Sequence, residues 1–223
     1  MSATRLIGNC QIGEGTLLDE SAIIGYPCKA AQLGERSLEN SAGAIIGANC
    51  IIRSNSVIYE NTILGDNVQT ANNIIIREDV SIGDGCVFGG GAIVLAGAKL
   101  GRNVRAMEQS LICEGAVIGN DVFIAPQVSF TRGRHMLGAF IHAGRMSEQE
   151  ANDIEKRYAD PVQASVIIED DVRIGANSVV LAGVRIGKGA VIAAGSVVSL
   201  DVPENHLVVG NPARIVPTDP PPT

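Results

Sequence analysis

An apolar side chain recurs at every sixth position through most of the chain, and this period is the clearest structural signal in the sequence. Between residues 46 and 130, only Thr70 and Ala106 fill that position without a bulky apolar group. The recurring positions are Leu6, Ile12, Leu18, Ile46, Ile52, Ile58, Leu64, Thr70, Ile76, Ile82, Phe88, Val94, Leu100, Ala106, Ile112, Ile118, Ile124, Phe130, Ile168, Ile174, Val180, Ile186, Ile192 and Val198. A fixed six-residue repeat predicts a parallel β-helix, and therefore an all-β fold.

Two other positions of the repeat support this prediction. We call the recurring residue of each repeat its anchor. The fourth residue after each anchor is small or β-branched, as at Cys50, Ser56 and Ala92. The third is almost always Asn, Asp or Gly, as at Asn49 and Asp79. These residue types tolerate a positive φ, so each repeat should end a short strand with a left-handed corner. Three strands make a triangular coil of about 18 residues, and about eight coils stack at roughly 4.8 Å.

Two segments leave the period, residues 25–44 and 131–165, and each is followed by a return of the repeat. We therefore expect two loops that project from a β-helix domain spanning residues 1–203, with a C-terminal tail over 204–223. The second loop should carry a short helix from Ser147 to Tyr158, because Ser147 and Glu150 form a capping box. A long loop inside a compact fold is usually functional or disordered.

Composition narrows the possible partners. The net charge of −7 argues against nucleic acid or an anionic membrane as the main partner. No apolar run approaches a membrane span, and the N-terminus lacks the apolar core of a signal peptide. The five cysteines have no paired spacing, so we expect a reduced, cytoplasmic protein. Cys10, Cys50 and Cys86 fall on the small interior position, whereas Cys28 and Cys113 fall elsewhere and are expected to be more exposed.

The repeat unit [LIV]-G-x-x-[STAVC]-x, with Ile174–Gly183 and Gly210–Arg214, resembles the hexapeptide-repeat acyltransferases over nearly the whole chain. The segment Val117–Thr131 is most similar to N-acetyltransferases that act on nucleotide-linked amino sugars. The resemblance implies a left-handed coil, a homotrimer, an acyl-coenzyme A donor (acetyl-CoA) and active sites between neighbouring subunits. It also implies direct attack of an amine on the thioester, with no metal ion.

The family's expected catalytic histidine is replaced in this chain. Many relatives carry T-G-H-N-x-x-I-R-E, and the matching stretch here runs from Thr70 to Glu78 with Ala71 in place of Gly and Asn72 in place of His. An amide cannot accept a proton at neutral pH, so Asn72 cannot act as the general base. The departure puts a histidine mechanism at this position in doubt.

The eighteen-residue spacing indicates a candidate site around Asn72. Residues eighteen apart lie on one face, so the outward corner reads Asn72, Gly90, Glu108 and Pro126, beside Asn73, Gly91, Gln109 and Gln127. Three consecutive glycines, Gly89 to Gly91, leave open space between Asn72 and Glu108, which should lie roughly 10 Å apart. The resemblance assigns a substrate role to this region, with Glu108 as base or amine anchor. The site predicted for the substrate therefore includes Asn73, Gly90, Gln109 and Gln127; the alternative is a row of solvated corner residues.

His135, in the second loop, is the other candidate base, because its side chain titrates near neutrality. His142 and His206 are weaker candidates. For coenzyme A, the resemblance indicates the later coils. Small residues would let the pantetheine arm approach backbone amides, and two cations would meet the phosphates. These candidates are Ala182, Gly183, Ala194, Gly195, Lys188 and Arg214.

Two rival functions stay open. The γ-class carbonic anhydrases are also built on hexapeptide-repeat β-helices, and their zinc chemistry requires three His or equivalent ligands. This chain has three histidines, but His135 and His142 share one loop, His206 lies in the tail, and nothing in the sequence places them together. The second rival is a catalytically silent scaffold or binding protein, which the replacement at Asn72 favours. The prediction is an acyl-CoA-dependent N-acyltransferase acting on an amino sugar.

Overall fold

The computed structural model describes residues 4–28, 40–132, 147, 149 and 165–216. Within these residues nearly all of the regular structure consists of short β-strands, most of them two residues long. In chain order they are β1 (Arg5–Leu6), β2 (Gln11–Ile12), β3 (Leu17–Leu18), β4 (Ile23–Tyr26), β5 (Ile45–Ile46), β6 (Ile51–Ile52), β7 (Val57–Tyr59), β8 (Ile63–Leu64), β9 (Gln69–Thr70), β10 (Ile75–Ile76), β11 (Ser81–Ile82), β12 (Val87–Phe88), β13 (Ile93–Val94), β14 (Lys99–Leu100), β15 (Arg105–Ala106), β16 (Leu111–Ile112), β17 (Val117–Ile118), β18 (Phe123–Ile124), β19 (Ser129–Phe130), β20 (Ile167–Ile168), β21 (Arg173–Ile174), β22 (Val179–Val180), β23 (Arg185–Ile186), β24 (Val191–Ile192), β25 (Val197–Val198), β26 (Leu207–Val209) and β27 (Arg214–Val216).

Successive strands join three different sheets in turn. Sheet A contains β1, β4, β7, β10, β13, β16, β19, β22 and β25; sheet B contains β2, β5, β8, β11, β14, β17, β20 and β23; sheet C contains β3, β6, β9, β12, β15, β18, β21, β24, β26 and β27. Where no insertion intervenes, neighbours within a sheet are parallel and most are eighteen residues apart, as Ile75 is with Val57 and Ile93; among the described strands, β27 alone is antiparallel to its neighbour, β26. The predicted left-handed parallel β-helix is confirmed, with about nine turns against the eight expected.

The anchor residues fill the interior, and the corner residues turn the chain. Ile52, Ile76 and Ile124 are fully buried, as are small interior residues such as Cys50 and Ala98. The predicted corner residues have positive φ angles, for example 55° at Asn49. We name the three corners by the sheets they join: the A–B edge (for example Asn61), the B–C edge (Asn103) and the C–A edge (Asn73).

Two interior positions differ from simple apolar packing. The buried hydroxyl of Thr70 accepts a hydrogen bond from the Arg53 amide at 3.0 Å, which satisfies a polar group at an anchor position. Cys113 is only 1% exposed, so the expectation that it is more exposed is wrong, whereas Cys28 is half-buried. Cys113 directly follows an anchor, and its side chain packs into the core cluster rather than pointing to solvent.

Both breaks in the repeat leave the prism at the A–B edge, since they follow β4 and β19 of sheet A. Buried Glu60 fixes both ends of the first insertion: its carboxylate accepts hydrogen bonds from the amides of Cys28 and Ala42, each at 3.0 Å. The predicted helix over Ser147–Tyr158 lies outside the described residues apart from Ser147, which is not helical, and Gln149, which is. Within the described part of the tail, β26 extends sheet C in parallel and β27 returns antiparallel to it.

Candidate active site on the C–A edge

The C–A edge stacks the residues that the spacing predicted, one coil above another. The amide of Gly91 donates to the Asn72 carbonyl at 3.1 Å, and the amide of Gln109 donates to the Gly90 carbonyl at 3.0 Å. The next coil repeats the contact, from the Gln127 amide to the Glu108 carbonyl at 2.9 Å. Backbone hydrogen bonds therefore fix Asn72, Gly90 and Glu108 in one column on consecutive coils.

The three glycines of this column differ in what surrounds them. A Cβ on Gly89 would lie 2.4 Å from the Glu108 amide nitrogen, so backbone atoms require glycine there. A Cβ on Gly90 would have as its nearest neighbour the Asn72 carbonyl oxygen at 3.7 Å, which is ordinary van der Waals contact. Gly91 has a φ of +71°, the left-handed corner conformation. The column thus contains an open notch at Gly90, between the coils of Asn72 and Glu108.

The polar side chains that border this notch are exposed. Within the described residues, neither the Glu108 carboxylate nor the Asn72 side-chain amide has a hydrogen-bond or ion-pair partner. One end of the notch can accept a proton and the other can donate hydrogen bonds. Gln109 and Gln127 differ, because the Gln127 side-chain amide donates to the Gln109 side-chain oxygen at 3.0 Å. Both have positive φ, 56° and 60°, so these glutamines occupy the ordinary left-handed corner and also bind each other.

The residues predicted for coenzyme A are spread over three edges. Ala194 and Gly195 continue the C–A edge above Glu108, and Arg214 pairs with Val209 at the top of sheet C. Ala182 and Gly183 instead lie on the A–B edge, where the Ala182 amide donates to the Thr131 hydroxyl at 3.2 Å. Lys188 lies on the B–C edge, with its ammonium 3.8 Å from the Asp171 carboxylate. One subunit therefore does not bring the six predicted residues together.

The candidate histidines are mostly beyond what the structure describes. His135 and His142 lie outside the described residues, and the His206 ring contacts the Glu204 carbonyl at 2.7 Å. The described part of the chain contains no group of three His, Cys, Asp or Glu side chains placed to hold a metal ion. Over the same residues, no helix has the length and apolar character needed to cross a membrane.

Sheet A presents an apolar outer face beside the candidate site. Seven of the eight outward positions from β4 to β25 are branched aliphatic residues, all half-buried. They are Ile23, Val57, Ile75, Ile93, Leu111, Val179 and Val197, with Ser129 as the polar exception. Contiguous apolar surface of this kind marks interaction sites on soluble proteins. The C–A edge, with Asn72 and Glu108, forms one border of this face.

Sequence reasoning missed two groups of side chains. Arg77 forms a bidentate pair with Glu78 at 2.7 and 2.9 Å and lies 4.7 Å from the Tyr59 ring centroid. Hydrogen bonding to Glu78 raises the pKa of the Arg77 guanidinium and keeps it charged. The second group lines a pocket on sheet C and includes Arg105 and Arg173. The eighteen-residue spacing does relate Tyr59 to Arg77 and Arg105 to Phe123, but Arg173 follows Phe123 by fifty residues and is not reached by that spacing.

Two family models match the repeats of this chain. One, described as a hexapeptide repeat of succinyl-transferase, matches residues 43–78 and 165–199. The other, a bacterial transferase hexapeptide of six repeats, matches residues 61–96.

Among curated proteins, a 2,3,4,5-tetrahydropyridine-2,6-dicarboxylate N-acetyltransferase of Alkaliphilus metalliredigens is 62% identical over 56 residues, 25% of this chain and 24% of that protein. A Staphylococcus aureus enzyme of the same name is 45% identical over 56 residues, 25% of this chain and 23% of its own length. The chain thus spans about a quarter of these relatives.

Solved structures resemble the chain over a greater length. The UDP-N-acetylglucosamine acyltransferase of Campylobacter jejuni superposes with a TM-score of 0.64 at 17% identity, covering 96% of this chain and 73% of that one. A polySia-specific acetyltransferase superposes with a TM-score of 0.52 at 19% identity, covering 94% and 79%. At these identities the likeness shows the fold alone. The matched repeats and the nine turns therefore show that this chain is a left-handed β-helix whose residues 43–96 and 165–199 are similar to the hexapeptide repeats of bacterial transferases.

Proposed function

We propose that the protein is an acetyl-CoA-dependent N-acyltransferase that acts on the amine of an amino sugar, linked to a nucleotide. The observation that carries the proposal is the notch at Gly90, between the Asn72 amide and the Glu108 carboxylate. An acyl transfer to an amine needs an open site, a proton acceptor and a hydrogen-bond donor for the carbonyl oxygen, and this column offers all three.

The proposed reaction is direct. The neutral amine attacks the thioester carbonyl carbon, the carbon–sulfur bond breaks, and coenzyme A leaves with its sulfur while the amide forms. Glu108 accepts the proton released by the amine. The side-chain amide of Asn72 donates a hydrogen bond to the carbonyl oxygen as it gains negative charge. His135, on the second insertion, is the alternative base.

A homotrimer would complete the site, and the apolar face of sheet A supports one. If this face lies against a threefold axis, the C–A edge of each prism meets the A–B edge of its neighbour. Glu108 would then face the edge that carries Ala182 and Gly183, and from which the insertion containing His135 departs. This arrangement accounts for cofactor candidates on two different edges. Lys188, on the third edge, would not take part.

The interface is tested by a matched pair of variants. Ile93→Glu places a charge on the outer face of sheet A, and Ile63→Glu does the same on sheet B, where Ile63 is 48% exposed. We expect light scattering to give about three times the 23.2 kDa chain mass for the native protein and for Ile63→Glu. Ile93→Glu should give the monomer. Equal behaviour of the two variants would remove sheet A as the interface.

Catalytic roles are tested by Glu108→Gln and His135→Asn, with Glu20→Gln as the control. Glu20 lies on the same C–A edge and at the same place in its repeat, below the notch. Loss of a general base lowers turnover by roughly 10²- to 10⁴-fold, so one of the two variants should fall in that range with the oligomer intact. Full activity in both would show that neither side chain is the base and that the amine arrives already neutral.

The acceptor is identified by thiol release from acetyl-CoA over a panel of amines. Nucleotide-linked amino sugars should react, and the same sugars without the nucleotide should react poorly. The panel includes 2,3,4,5-tetrahydropyridine-2,6-dicarboxylate, because the relatives named for it are 62% and 45% identical over their matched segments. Preference for that dicarboxylate would replace the amino-sugar assignment.

The alternative function, a catalytically silent scaffold or binding protein, makes a different prediction. A ligand that binds the native state raises its stability, so millimolar coenzyme A should raise the melting temperature of an enzyme of this class. No shift with coenzyme A, together with no thiol release, would favour a binding or scaffold role on the same prism.

A further inference from the structure

A pocket of about 360 Å³ lies on the outer face of sheet C, away from the apolar face of sheet A. Its floor is a ladder of three side chains on consecutive coils, Arg105, Phe123 and Arg173, held in register by β15, β18 and β21. Asn103 and Asp121, on the B–C edge, form its side wall. The two arginines should lie roughly 10 Å apart, two coil spacings, with the phenyl ring between them.

The two guanidinium groups are available to an anion. Both arginines are exposed, and within the described residues neither forms an ion pair with a carboxylate. Arg173 is oriented by hydrogen bonds from one of its nitrogens to the backbone carbonyls of Asp121 and Val172. These contacts leave its other N–H groups free to bind an anion, and an arginine presents a planar fork that matches phosphate.

The ring and the side wall add two further binding chemistries. Phe123 is half-buried, packs against the core and lines the pocket, so core contacts restrict its side chain at the pocket floor. A fixed aromatic ring offers a stacking surface for a nucleobase. The Asp121 carboxylate is held by the Asn103 side-chain amide at 2.9 Å, and a carboxylate in such a position accepts hydrogen bonds from ribose hydroxyls. A bare inorganic anion would gain nothing from the ring and would be repelled by Asp121.

We infer that this pocket binds a nucleoside diphosphate, with the base against Phe123, the ribose at Asp121 and the phosphates on Arg105 and Arg173. The site has the size of a small-molecule pocket, and the net charge of −7 does not suit a longer polyanion. Two molecules could supply this group: a nucleotide-linked sugar, or the adenosine diphosphate portion of coenzyme A.

The position of the pocket connects it with the proposed active site, on which this part of the inference rests. Arg105 lies in β15 and Glu108 in the turn that follows it, three residues later, so their Cα atoms are at most roughly 10 Å apart. A nucleotide bound on sheet C could therefore place an attached sugar at the C–A edge beside Glu108. The nucleotide would supply binding energy away from the reacting amine, and the notch would hold the sugar.

The test is nucleotide binding by calorimetry on the full chain, with Arg105→Gln, Arg173→Gln and Phe123→Leu. Arg102→Gln is the matched control, because Arg102 is an exposed cation on the B–C edge that does not line the pocket. UDP and dTDP represent the nucleotide-sugar source, and coenzyme A and ADP represent the coenzyme source. Loss of a charge-assisted contact should weaken binding roughly tenfold to a hundredfold for each arginine variant. Loss of stacking on Phe123 should weaken it about tenfold.

Weaker binding of UDP and dTDP by the pocket variants, with unchanged binding by Arg102→Gln, would support the inference with the nucleotide sugar as the source. The same losses confined to coenzyme A and ADP would support it with the coenzyme as the source. Affinities no lower than in Arg102→Gln for all four ligands would overturn it. The binding readout is independent of catalysis: pocket-dependent binding without acyl transfer would refute the proposed function alone, and acyl transfer together with nucleotide binding that the pocket variants leave unchanged would refute this inference alone.

Discussion

The three consecutive glycines of the candidate site should respond very differently to alanine, and the contrast tests the geometry of the notch. Gly89→Ala places a Cβ 2.4 Å from the Glu108 amide nitrogen. Neither partner can move easily, because the Gly89 amide donates to the Ala106 carbonyl at 2.8 Å and Gln109 donates to Gly90 at 3.0 Å. Overpacking against fixed atoms costs up to about 3 kcal/mol, and we expect the free energy of unfolding to fall by that amount.

Gly91→Ala and Gly90→Ala should be milder, for separate reasons. Gly91 has a φ of +71°, where an L-residue costs about 1 kcal/mol, although its added Cβ would meet only the Gln109 Cγ at 3.6 Å. Gly90 has neither constraint, since its φ is not positive and its Cβ would have as nearest neighbour the Asn72 oxygen at 3.7 Å. Alanine there restricts the unfolded chain, so stability should be unchanged or higher by about 0.5 kcal/mol.

Urea unfolding at one fixed protein concentration measures the three values, with the order Gly89→Ala, Gly91→Ala, Gly90→Ala from most to least destabilising. The same proteins then report on function. Gly90→Ala adds a methyl group inside the proposed substrate notch, so acyl transfer should fall about tenfold while the fold is preserved. A Gly90→Ala variant as unstable as Gly89→Ala would refute the open notch, and a stable variant with full activity would move the substrate elsewhere.

Three further predictions concern the prism itself. Glu60→Ala removes the acceptor for the Cys28 and Ala42 amides, so limited proteolysis should cut the first insertion faster while β-structure measured by circular dichroism persists. Phe88→Ala empties a site that is 1% exposed and should lower the free energy of unfolding by about 3–5 kcal/mol in urea, against no change for Arg102→Ala. Burial raises the pKa of the Cys86 thiol from 9.0 to about 11. Below pH 9 the thiol is protonated in both states. From pH 9 to 11 only the unfolded chain ionises, so the free energy of unfolding should fall by about 3 kcal/mol, and Cys86→Ala should reduce this pH dependence.

The six-residue period was sufficient to predict the strands, the corners and the stacking of residues eighteen apart. Each hexapeptide specifies its own local structure. Its anchor fills the interior, its small residue fits beside the anchor, and its corner residue adopts the positive φ that the turn needs. The same logic explains Gln109 and Gln127. They break the Asn, Asp and Gly preference and still adopt the left-handed corner, since each amide side chain binds the other across adjacent coils at 3.0 Å.

Other features depend on neighbours that the period does not specify. The period marks Thr70 only as a position without a bulky apolar group, whereas its hydroxyl accepts a hydrogen bond from the Arg53 amide one coil below. Cys113 follows an anchor, a position that faces outward in most repeats, and yet it is buried. The Arg105, Phe123 and Arg173 ladder escaped notice because the second insertion separates β18 from β21 by fifty residues rather than eighteen.

The distribution of the site residues follows from the way this prism is built. Corner side chains project outward and the interior is closed, so one chain can present chemistry only along its edges and outer faces. Edges of a single triangular prism diverge, which is why Glu108 on the C–A edge and Gly183 on the A–B edge cannot meet within one subunit. They can meet when three prisms turn sheet A toward a common axis, because each C–A edge then faces the A–B edge of the next prism. If the proposed trimer forms, the aliphatic face of sheet A and the placement of candidate residues on its two borders are consequences of one arrangement, and a variant that abolishes the trimer should abolish acyl transfer even when every side chain of the notch is intact.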